Sequence, residues 1–263
     1  MLARQRQSYI LDQLEKNGIV YTSALVKEMK VSSETVRKDL DGLEQAGSLV
    51  RVHGGAVSAE KEPSAVPAAE AAPYISFQIR STQHLEQKAA IAARAADLVE
   101  EDQVIALDYG STSQIMAMEL KRRFRRLTVI TNSIQNALIL SECPDFTVIL
   151  IGGILNKNEL TLGNDFTAML DYLHIDILFM TASGIHPEIG CTDQSPMETR
   201  VQNQMRQAAS RTVVLADSSK CGRASLVKIC PLQEISALIT DSGLDEELAE
   251  QIRRTGVELV TVG

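Results

Sequence analysis

The stretch from Val31 to Ala56 constrains the fold of this chain more than any other part of it. It reads VSSETVRKDLDGLEQAGSLVRVHGGA. Three of its apolar residues recur at the spacing of one helix face: Val36, Leu40 and Leu43. The spacing predicts a helix from Ser33 to about Ala46, because Ser32 is suited to cap its start and Gly47 to end it.

Two helical patterns precede this helix, and a hairpin pattern follows it. Residues 3–16 predict a first helix, and Thr22 or Ser23 begins a second one that continues to about Met29. Residues 49–57 predict a two-stranded hairpin with glycines at its turn. Two helices joined by a tight turn and followed by a hairpin are typical of a winged helix-turn-helix, so residues 1–57 are predicted to form such a domain.

The candidate DNA-binding residues lie at the start of the third helix and on the hairpin. In a helix-turn-helix, side chains at that helix start reach base edges in the major groove. Arginine and lysine suit guanine or phosphate, and glutamate accepts from cytosine. The residues predicted to contact DNA are Ser33, Glu34, Thr35, Arg37, Lys38, Arg51 and His53. A small helical bundle with a solvated charged face stays open as the alternative.

The distribution of charge fits a local contact with phosphate. Residues 1–57 contain 8 of the 26 basic and 7 of the 34 acidic residues, which gives them a net charge of +1. The remainder carries −9, so the whole chain carries −8. This balance argues against a wholly basic nucleic-acid coat. With so few cations in each DNA-binding head (residues 1–57), we expect useful DNA affinity to require two or more heads held together in one oligomer.

The stretch from Val31 to Ala56 resembles the winged helix-turn-helix of the DeoR family of bacterial transcriptional regulators. The matching positions are Val31-Ser32, Thr35-Val36-Arg37, Asp39-Leu40, Leu43-Glu44, Gly47, Leu49, Arg51 and His53-Gly54-Gly55-Ala56. Lys38 stands where many members carry arginine, which keeps the charge but loses the bidentate fork. The resemblance implies a regulator that binds a double-stranded DNA operator as a homodimer or homotetramer.

A linker and a larger α/β domain are predicted to follow. Residues 58–73 contain three prolines, many alanines and no apolar periodicity, which indicates a hinge. In residues 74–263, helical runs alternate with predicted strands at residues 104–107, 127–131, 147–151, 175–181, 212–215, 235–240 and 257–262. The alternation predicts a mostly parallel sheet with helices on both faces, whose ligands bind at the carboxyl ends of the strands.

Small polar residues follow several of these strands and predict a ligand site. Gly110 allows close backbone approach at the start of a helix, where free N–H groups and hydroxyls bind anions. The predicted ligand residues are Asp108, Gly110, Ser111, Thr112, Ser113, Thr131, Asn132, Ser133, Gly152, Gly153, Asp217 and Lys220. With Lys220 as the one cation of this ring, they indicate a phosphorylated, hydroxyl-rich small molecule. For Gly152-Gly153 alone, an ordinary turn is the simpler interpretation.

The larger domain also resembles its counterpart in the DeoR family, the effector domain. The matching positions are Lys88-(x)2-Ile91-Ala92, Asp108-x-Gly110-Ser111-Thr112, Leu127-Thr128-Val129-x-Thr131-Asn132-Ser133, Gly152-Gly153, Gly163, Asp217-x-Ser219-Lys220 and Thr240-Asp241. Cys221 stands where the family often has phenylalanine, and Ser111 where it often has threonine. The resemblance implies an effector domain related to pentose-phosphate isomerases and to the CoA-transferase fold, which typically senses sugar phosphates.

Two functions follow from these features. An isomerase of this fold has carboxylates after a central strand to move the proton. The corresponding stretch here, Phe179–Ile185, offers hydroxyls and no carboxylate before Glu188. We therefore expect no enzyme but a repressor of a sugar-utilisation operon, whose operator affinity is controlled by a phosphorylated sugar. A sugar-phosphate isomerase-like enzyme with an accessory DNA-binding head is the alternative.

Other features disfavour several further classes of function. No apolar run approaches the roughly 20 residues that a membrane span needs, and the polar start MLARQRQSYIL predicts no secretory signal. Four cysteines without a CxxC pair predict reduced thiols in a cytoplasmic protein and no metal site. Neither a phosphate-binding loop of the GxxxxGKS/T type nor a GxGxxG motif occurs, so no nucleotide cofactor is expected.

Overall fold

The computed structural model describes residues 3–17, 19–45, 48–52, 55–58, 77–159, 161–163 and 166–263. The chain divides into two compact units, Met1–Ala65 and Val66–Gly263. The predicted linker, residues 58–73, lies outside the described residues except for residue 58. The boundaries of the predicted domains, 1–57 and 74–263, therefore stay predictions.

The smaller unit contains the predicted helices and hairpin. Its elements are α1 (Ala3–Asn17), β1 (Ile19–Tyr21), α2 (Thr22–Met29), α3 (Ser33–Gln45), β2 (Leu49–Val52) and β3 (Gly55–Ser58). The strands form an antiparallel sheet in the order β1-β3-β2. This order of elements confirms the winged helix-turn-helix. The predicted helix end at Gly47 and the hairpin turn at residues 53–54 lie outside the described residues.

One apolar core and one buried ion pair position α3 within this unit. Val36, Leu40 and Leu43 are buried, as their spacing predicted, and they pack with apolar residues of α1 and α2. Asp39 is buried on the same helix, where Arg6 of α1 donates to both of its carboxylate oxygens at 2.5 and 3.0 Å. The pair joins α1 to α3 in a fixed geometry, because a guanidinium fork matches a carboxylate.

The larger unit alternates strands and helices. Its first elements are α4 (Phe77–Arg80), α5 (Leu85–Ala96), β4 (Val104–Leu107), α6 (Ser111–Arg123), β5 (Thr128–Thr131), α7 (Ile134–Leu140), β6 (Thr147–Leu150), β7 (Ile154–Asn156), β8 (Thr161–Gly163) and β9 (Ile175–Thr181). The remainder are β10 (Gly184–His186), β11 (Gly190–Asp193), α8 (Pro196–Ala208), β12 (Ala209–Leu215), β13 (Val227–Cys230), β14 (Ala237–Asp241), α9 (Glu246–Arg254) and β15 (Glu258–Val262).

The main sheet is parallel and has an apolar core on each face. Its strand order is β15-β14-β12-β9-β4-β5-β6, and all neighbours run parallel. Ile105 and Leu107 of β4 belong to the core that includes α5 and α6, while Ala106 between them belongs to the core that includes α8 and α9. This alternation confirms the predicted α/β architecture, because successive side chains of a strand point to opposite faces.

Five short strands were not predicted. β7 pairs with β8 as a hairpin, and β10, β11 and β13 form a small antiparallel sheet. Unlike β4 and β6, none of these short strands contains three consecutive apolar residues, so their pattern was too weak to identify from sequence. The strand predicted from residue 235 begins instead at Ala237. Ile235 still belongs to the turn at Leu232–Glu234, because its N–H donates to the carbonyl of Leu232 at 3.2 Å.

Candidate functional site

The start of α3 presents the predicted DNA-binding side chains to solvent. Ser32 caps the helix, because its Oγ accepts from the backbone N–H of Thr35 at 3.2 Å. The cap fixes the direction of the first turn. Among the predicted residues on this helix, the exposed ones are Ser33, Glu34, Arg37 and Lys38, and Thr35 is half-buried. Arg51 lies in β2 with an undescribed side chain, and His53 lies outside the described residues.

One ion pair lies on this exposed surface. The Nζ atom of Lys38 lies 3.5 Å from a carboxylate oxygen of Glu34, one helical turn away, and both side chains are more than three-quarters exposed. Such a pair adds little stability, since water screens it. A phosphate can therefore compete for Lys38, and a base edge for either partner, at small cost.

A cleft opens at the carboxyl ends of β4, β9 and β12 in the larger unit. Its empty space, counted with the opening to solvent, is ≈ 460 Å³. Five predicted ligand residues line it: Gly110, Ser111, Thr112, Asp217 and Lys220. Ser183, from the hydroxyl-bearing stretch after β9, also lines it. Sequence reasoning did not name as ligand residues a further set that lines the cleft: Arg80, Gln83, His84, Lys88, Tyr109, Thr181 and Asp193.

Gly110 brings the start of α6 to the edge of the cleft. Its φ is 127°, and a Cβ atom at this position would lie 2.7 Å from Oγ1 of Thr181. Glycine is therefore the residue that fits here. Ser111 and Thr112 follow as the first residues of α6. The first N–H groups of a helix have no partners within it and carry partial positive charge, so this turn suits an anion.

Three cations line the cleft, so the expectation of a single one is wrong. Lys220 is joined by Lys88 and Arg80. Lys88 is buried, and its Nζ donates to the carbonyls of Arg80 at 2.5 Å and Gln83 at 2.6 Å. Burial lowers the pKa of Lys88 to about 8, with Asp217 opposing and the other cations adding to this effect. Burial also lowers the pKa of Lys220.

The position of Lys88 on its helix could have identified it from the sequence as a candidate ligand residue. Lys88 occupies the same stripe of α5 as Ile91, Ala92 and Ala95, all of which are buried. A lysine on the inner stripe of an amphipathic helix needs a polar partner or an anion. Arg80 had no comparable signal, because α4 is too short to show a periodic pattern.

Asp108 lies beneath the cleft and does not line it. It is fully buried, and its carboxylate accepts from the backbone N–H of Thr181 at 2.7 Å and from Nε2 of Gln202 at 2.8 Å. Burial raises the pKa of Asp108 well above its usual range, against the effect of these hydrogen bonds. Its geometry suits a positioning role, because it joins β4 to the end of β9 and to α8.

The cleft also contains a carboxylate that the stretch after β9 did not predict. Asp193 at the end of β11 accepts from Tyr109 Oη at 2.8 Å, from Ser183 Oγ at 2.8 Å and from the N–H of Gln194 at 2.6 Å. Burial and the neighbouring Asp193 raise the pKa of Tyr109 well above its usual range. The carboxylate is thus surrounded by donors that hold it in place.

The remaining predicted ligand residues are not among those that line the cleft. Ser113 is buried between Asp108 and Asn136, and Ser133 caps α7 by accepting from the N–H of Asn136 at 3.3 Å. Thr131 accepts from the N–H of Ser133 at 3.1 Å. Asn132 is buried, and its amide has no hydrogen-bond partner among the described residues. Gly152 and Gly153 are exposed.

The comparisons with known proteins identify the family. The DeoR-like helix-turn-helix domain matches residues 6–62, and the DeoR C terminal sensor domain matches residues 83–242. The HTH-type transcriptional regulator GolR of Listeria innocua is 34% identical over 98% of this chain and 98% of its own length. The chain belongs to the DeoR family of transcriptional regulators.

Other relatives agree with this assignment to the DeoR family. The lactose phosphotransferase system repressor of Staphylococcus epidermidis is 33% identical over 94% of this chain and 95% of its own length. Among solved structures, ribose 5-phosphate isomerase A of Methanocaldococcus jannaschii is 20% identical over 51% of this chain and 53% of its own, with a TM-score of 0.39. No activity follows from a structural likeness of this degree.

The described part of this DeoR-family chain shows neither a candidate metal site nor a membrane-spanning helix. It contains no group of three or more His, Cys, Asp or Glu side chains placed to hold a metal ion. None of its described helices is long and apolar enough to cross a membrane. Its four cysteines form no disulfide, and three of them are buried.

Proposed function

We propose that this DeoR-family chain represses a sugar-utilisation operon and that a phosphorylated sugar in the cleft controls its affinity for the operator. One observation supports the binding of a phosphorylated sugar: the cleft is lined by three cations, Arg80, Lys88 and Lys220, together with the start of α6. Helix N–H groups and cations together bind phosphate well. The name of the staphylococcal relative, a lactose phosphotransferase system repressor, supports a sugar as the signal.

We assign direct ligand contact to the predicted residues that line the cleft. Gly110, Ser111 and Thr112 would hold the phosphate, with Lys220 as a counter-charge and Asp217 placed to meet a sugar hydroxyl. A supporting role beneath the cleft falls to Asp108, Ser113, Thr131, Asn132 and Ser133. Gly152 and Gly153 receive no ligand contact in this proposal, because both are exposed outside the cleft lining.

The DNA-binding half of the proposal places α3 in the major groove. Ser33, Glu34, Thr35 and Arg37 would face base edges, while Lys38, Arg51 and His53 would approach phosphates. A homodimer or homotetramer would pair these heads on repeated half-sites of the operator. The protein would act in the cytoplasm, where its operator lies.

We further propose that the cleft binds its ligand without turnover. A sugar isomerase needs a carboxylate free to take a proton from carbon. Asp193 instead accepts from Tyr109, Ser183 and Gln194. Oδ1 of Asp217 accepts from the backbone N–H and from the hydroxyl of Ser219. Incubation of the purified chain with aldose and ketose phosphates tests this point, and interconversion at ordinary enzyme rates would contradict it.

A thermal-shift screen against a panel of sugar phosphates tests the effector. Binding to the folded chain alone raises the unfolding midpoint. We expect one sugar phosphate to raise the midpoint while its free sugar does not, because the phosphate makes the charged contacts. Equal shifts with the free sugar would contradict the assignment of the cleft to phosphate.

Two substitutions separate the two halves of the function. Arg37→Ala should weaken operator binding by about tenfold or more, since a base or phosphate contact is worth roughly 1–3 kcal/mol. It should leave sugar-phosphate binding intact. Lys220→Gln should do the reverse. Titrations of labelled operator and of the effector check both variants, and unchanged operator affinity of Arg37→Ala at moderate salt would count against this placement of α3.

A further inference from the structure

Arg80 lines the cleft and also takes part in an ion pair outside the described cleft lining. Its side chain lines the cleft, and the same guanidinium forms an ion pair with Glu159. The two side chains are only 16% and 5% exposed, so water screens their attraction weakly. The guanidinium therefore lies where a carboxylate of the protein and an anion in the cleft would both contact it.

Glu159 belongs to the loop between β7 and β8, the hairpin that the sequence did not predict. The hairpin is anchored by polar contacts at its strands. Leu162 donates its N–H to the carbonyl of Asn132 at 2.8 Å, and Asn156 and Thr161 donate to one oxygen of Glu198 at 2.6 and 2.9 Å. The pair with Arg80 adds an anchor near the tip of the hairpin, on the side of the cleft.

The backbone around Arg80 is held by the cleft itself. The carbonyl of Arg80 accepts from Nζ of Lys88, and the turn ends at His84, whose φ is 52°. The position of the Arg80 backbone is thus tied to a second cation of the site. Its side chain can change partner while the backbone stays in place.

We propose that Arg80 exchanges Glu159 for the anionic group of the ligand, and that this exchange releases the tip of the β7–β8 hairpin. The proposal rests on the proposed function of the cleft as a phosphate site. Nη2 of Arg80 donates to Glu159, so a phosphate that takes this charge-assisted bond competes with the carboxylate for the same donor. Ligand occupancy then becomes a change at the tip of the hairpin.

Neutralising Glu159 tests the competition directly. Inorganic phosphate is titrated calorimetrically into the full-length chain at fixed pH and ionic strength. Glu159→Gln should bind phosphate about tenfold more tightly than the wild type, within the range of coupling between linked groups. Its amide oxygen still accepts from Arg80, so the packing is kept. Glu142→Gln is the matched control, because it removes the same charge from an exposed pair with Lys121.

A double substitution shows whether Arg80 mediates the effect. Arg80→Gln alone should weaken phosphate binding about tenfold, as the loss of a charge-assisted contact implies. Adding Glu159→Gln to it should change the affinity no further. If Glu159→Gln still increased phosphate affinity in the double variant, Glu159 would act by long-range electrostatic repulsion of the phosphate and not through Arg80. That result overturns the exchange.

Hydrogen exchange on the wild type supplies a measurement that needs no variant. Saturating phosphate should speed amide exchange at the tip between β7 and β8, including the N–H of Asn158, which donates to Oδ1 of Asn156 at 3.1 Å. Unchanged or slower exchange there overturns the release.

The outcomes distinguish this proposal from the proposed function. If phosphate binds the wild type, Lys220→Gln weakens it and Glu159→Gln has no effect, the exchange is wrong while the phosphate site stands. If phosphate binds neither the wild type nor Glu159→Gln, the site and the exchange both fail.

Discussion

Gly110→Ala should destabilise the larger unit, because one atom is added where the backbone and a neighbour both exclude it. Gly110 has a φ of 127° and a ψ of 163°. This region of backbone conformation is open to glycine and strained for other residues. The added Cβ would also lie 2.7 Å from Oγ1 of Thr181, far inside van der Waals contact.

The magnitude follows from two costs that add. Backbone strain in this region costs roughly 1–3 kcal/mol. Thr181 cannot move aside freely, because its hydroxyl donates to the carbonyl of Tyr109 at 2.6 Å and lies 3.1 Å from a carboxylate oxygen of Asp108. Losing a buried hydrogen bond costs roughly 1–3 kcal/mol more. We therefore expect Gly110→Ala to lower the free energy of unfolding by about 2–6 kcal/mol, a large part of a typical domain's stability.

Native-state hydrogen exchange at β9 in urea is the suitable assay, because it reports on the larger unit alone. Gly152→Ala is the matched control. A Cβ at Gly152 meets nothing within 4 Å, so this change should stay within about 0.5 kcal/mol of the wild type. Equal stability of the two variants would refute the stated geometry at Gly110 and with it the close approach of α6 to the cleft.

The remaining predictions concern pH and the helix cap. Anion binding favours charged Lys88, whose pKa of about 8 lies below its ordinary value, so phosphate affinity should be full below pH 8 and fall as pH rises through it. Calorimetric titrations at pH 7 and pH 9 check this, and a flat profile would contradict it. Ser32→Ala removes the acceptor for the N–H of Thr35 and should lower the stability of the smaller unit by about 1 kcal/mol. Ser33→Ala is the control in urea unfolding, since it leaves the cap in place, and an equal loss in both variants would exclude a capping role.

The DNA-binding head was readable from the sequence because its information is local. The stripe of Val36, Leu40 and Leu43 fixed the buried face of α3, and Ser32 marked its start. One feature escaped that reading. The sequence did not reveal the partner of Asp39, because Arg6 lies 33 residues earlier in the chain and only the packing of α1 on α3 brings the two together.

The larger unit shows the limit of sequence reasoning more plainly. Strand and helix alternation predicted the parallel sheet, and a glycine followed by hydroxyls predicted an anion site at the start of α6, which stays a prediction. Which residues line the cleft depends on the tertiary structure. Lys88 and Arg80 precede the first strand of the sheet, and Asp193 comes from a short strand with no periodic signal, yet all three line the same cleft as Gly110. Local patterns encode backbone conformation, whereas a binding site depends on which distant side chains the folded sheet brings to one edge.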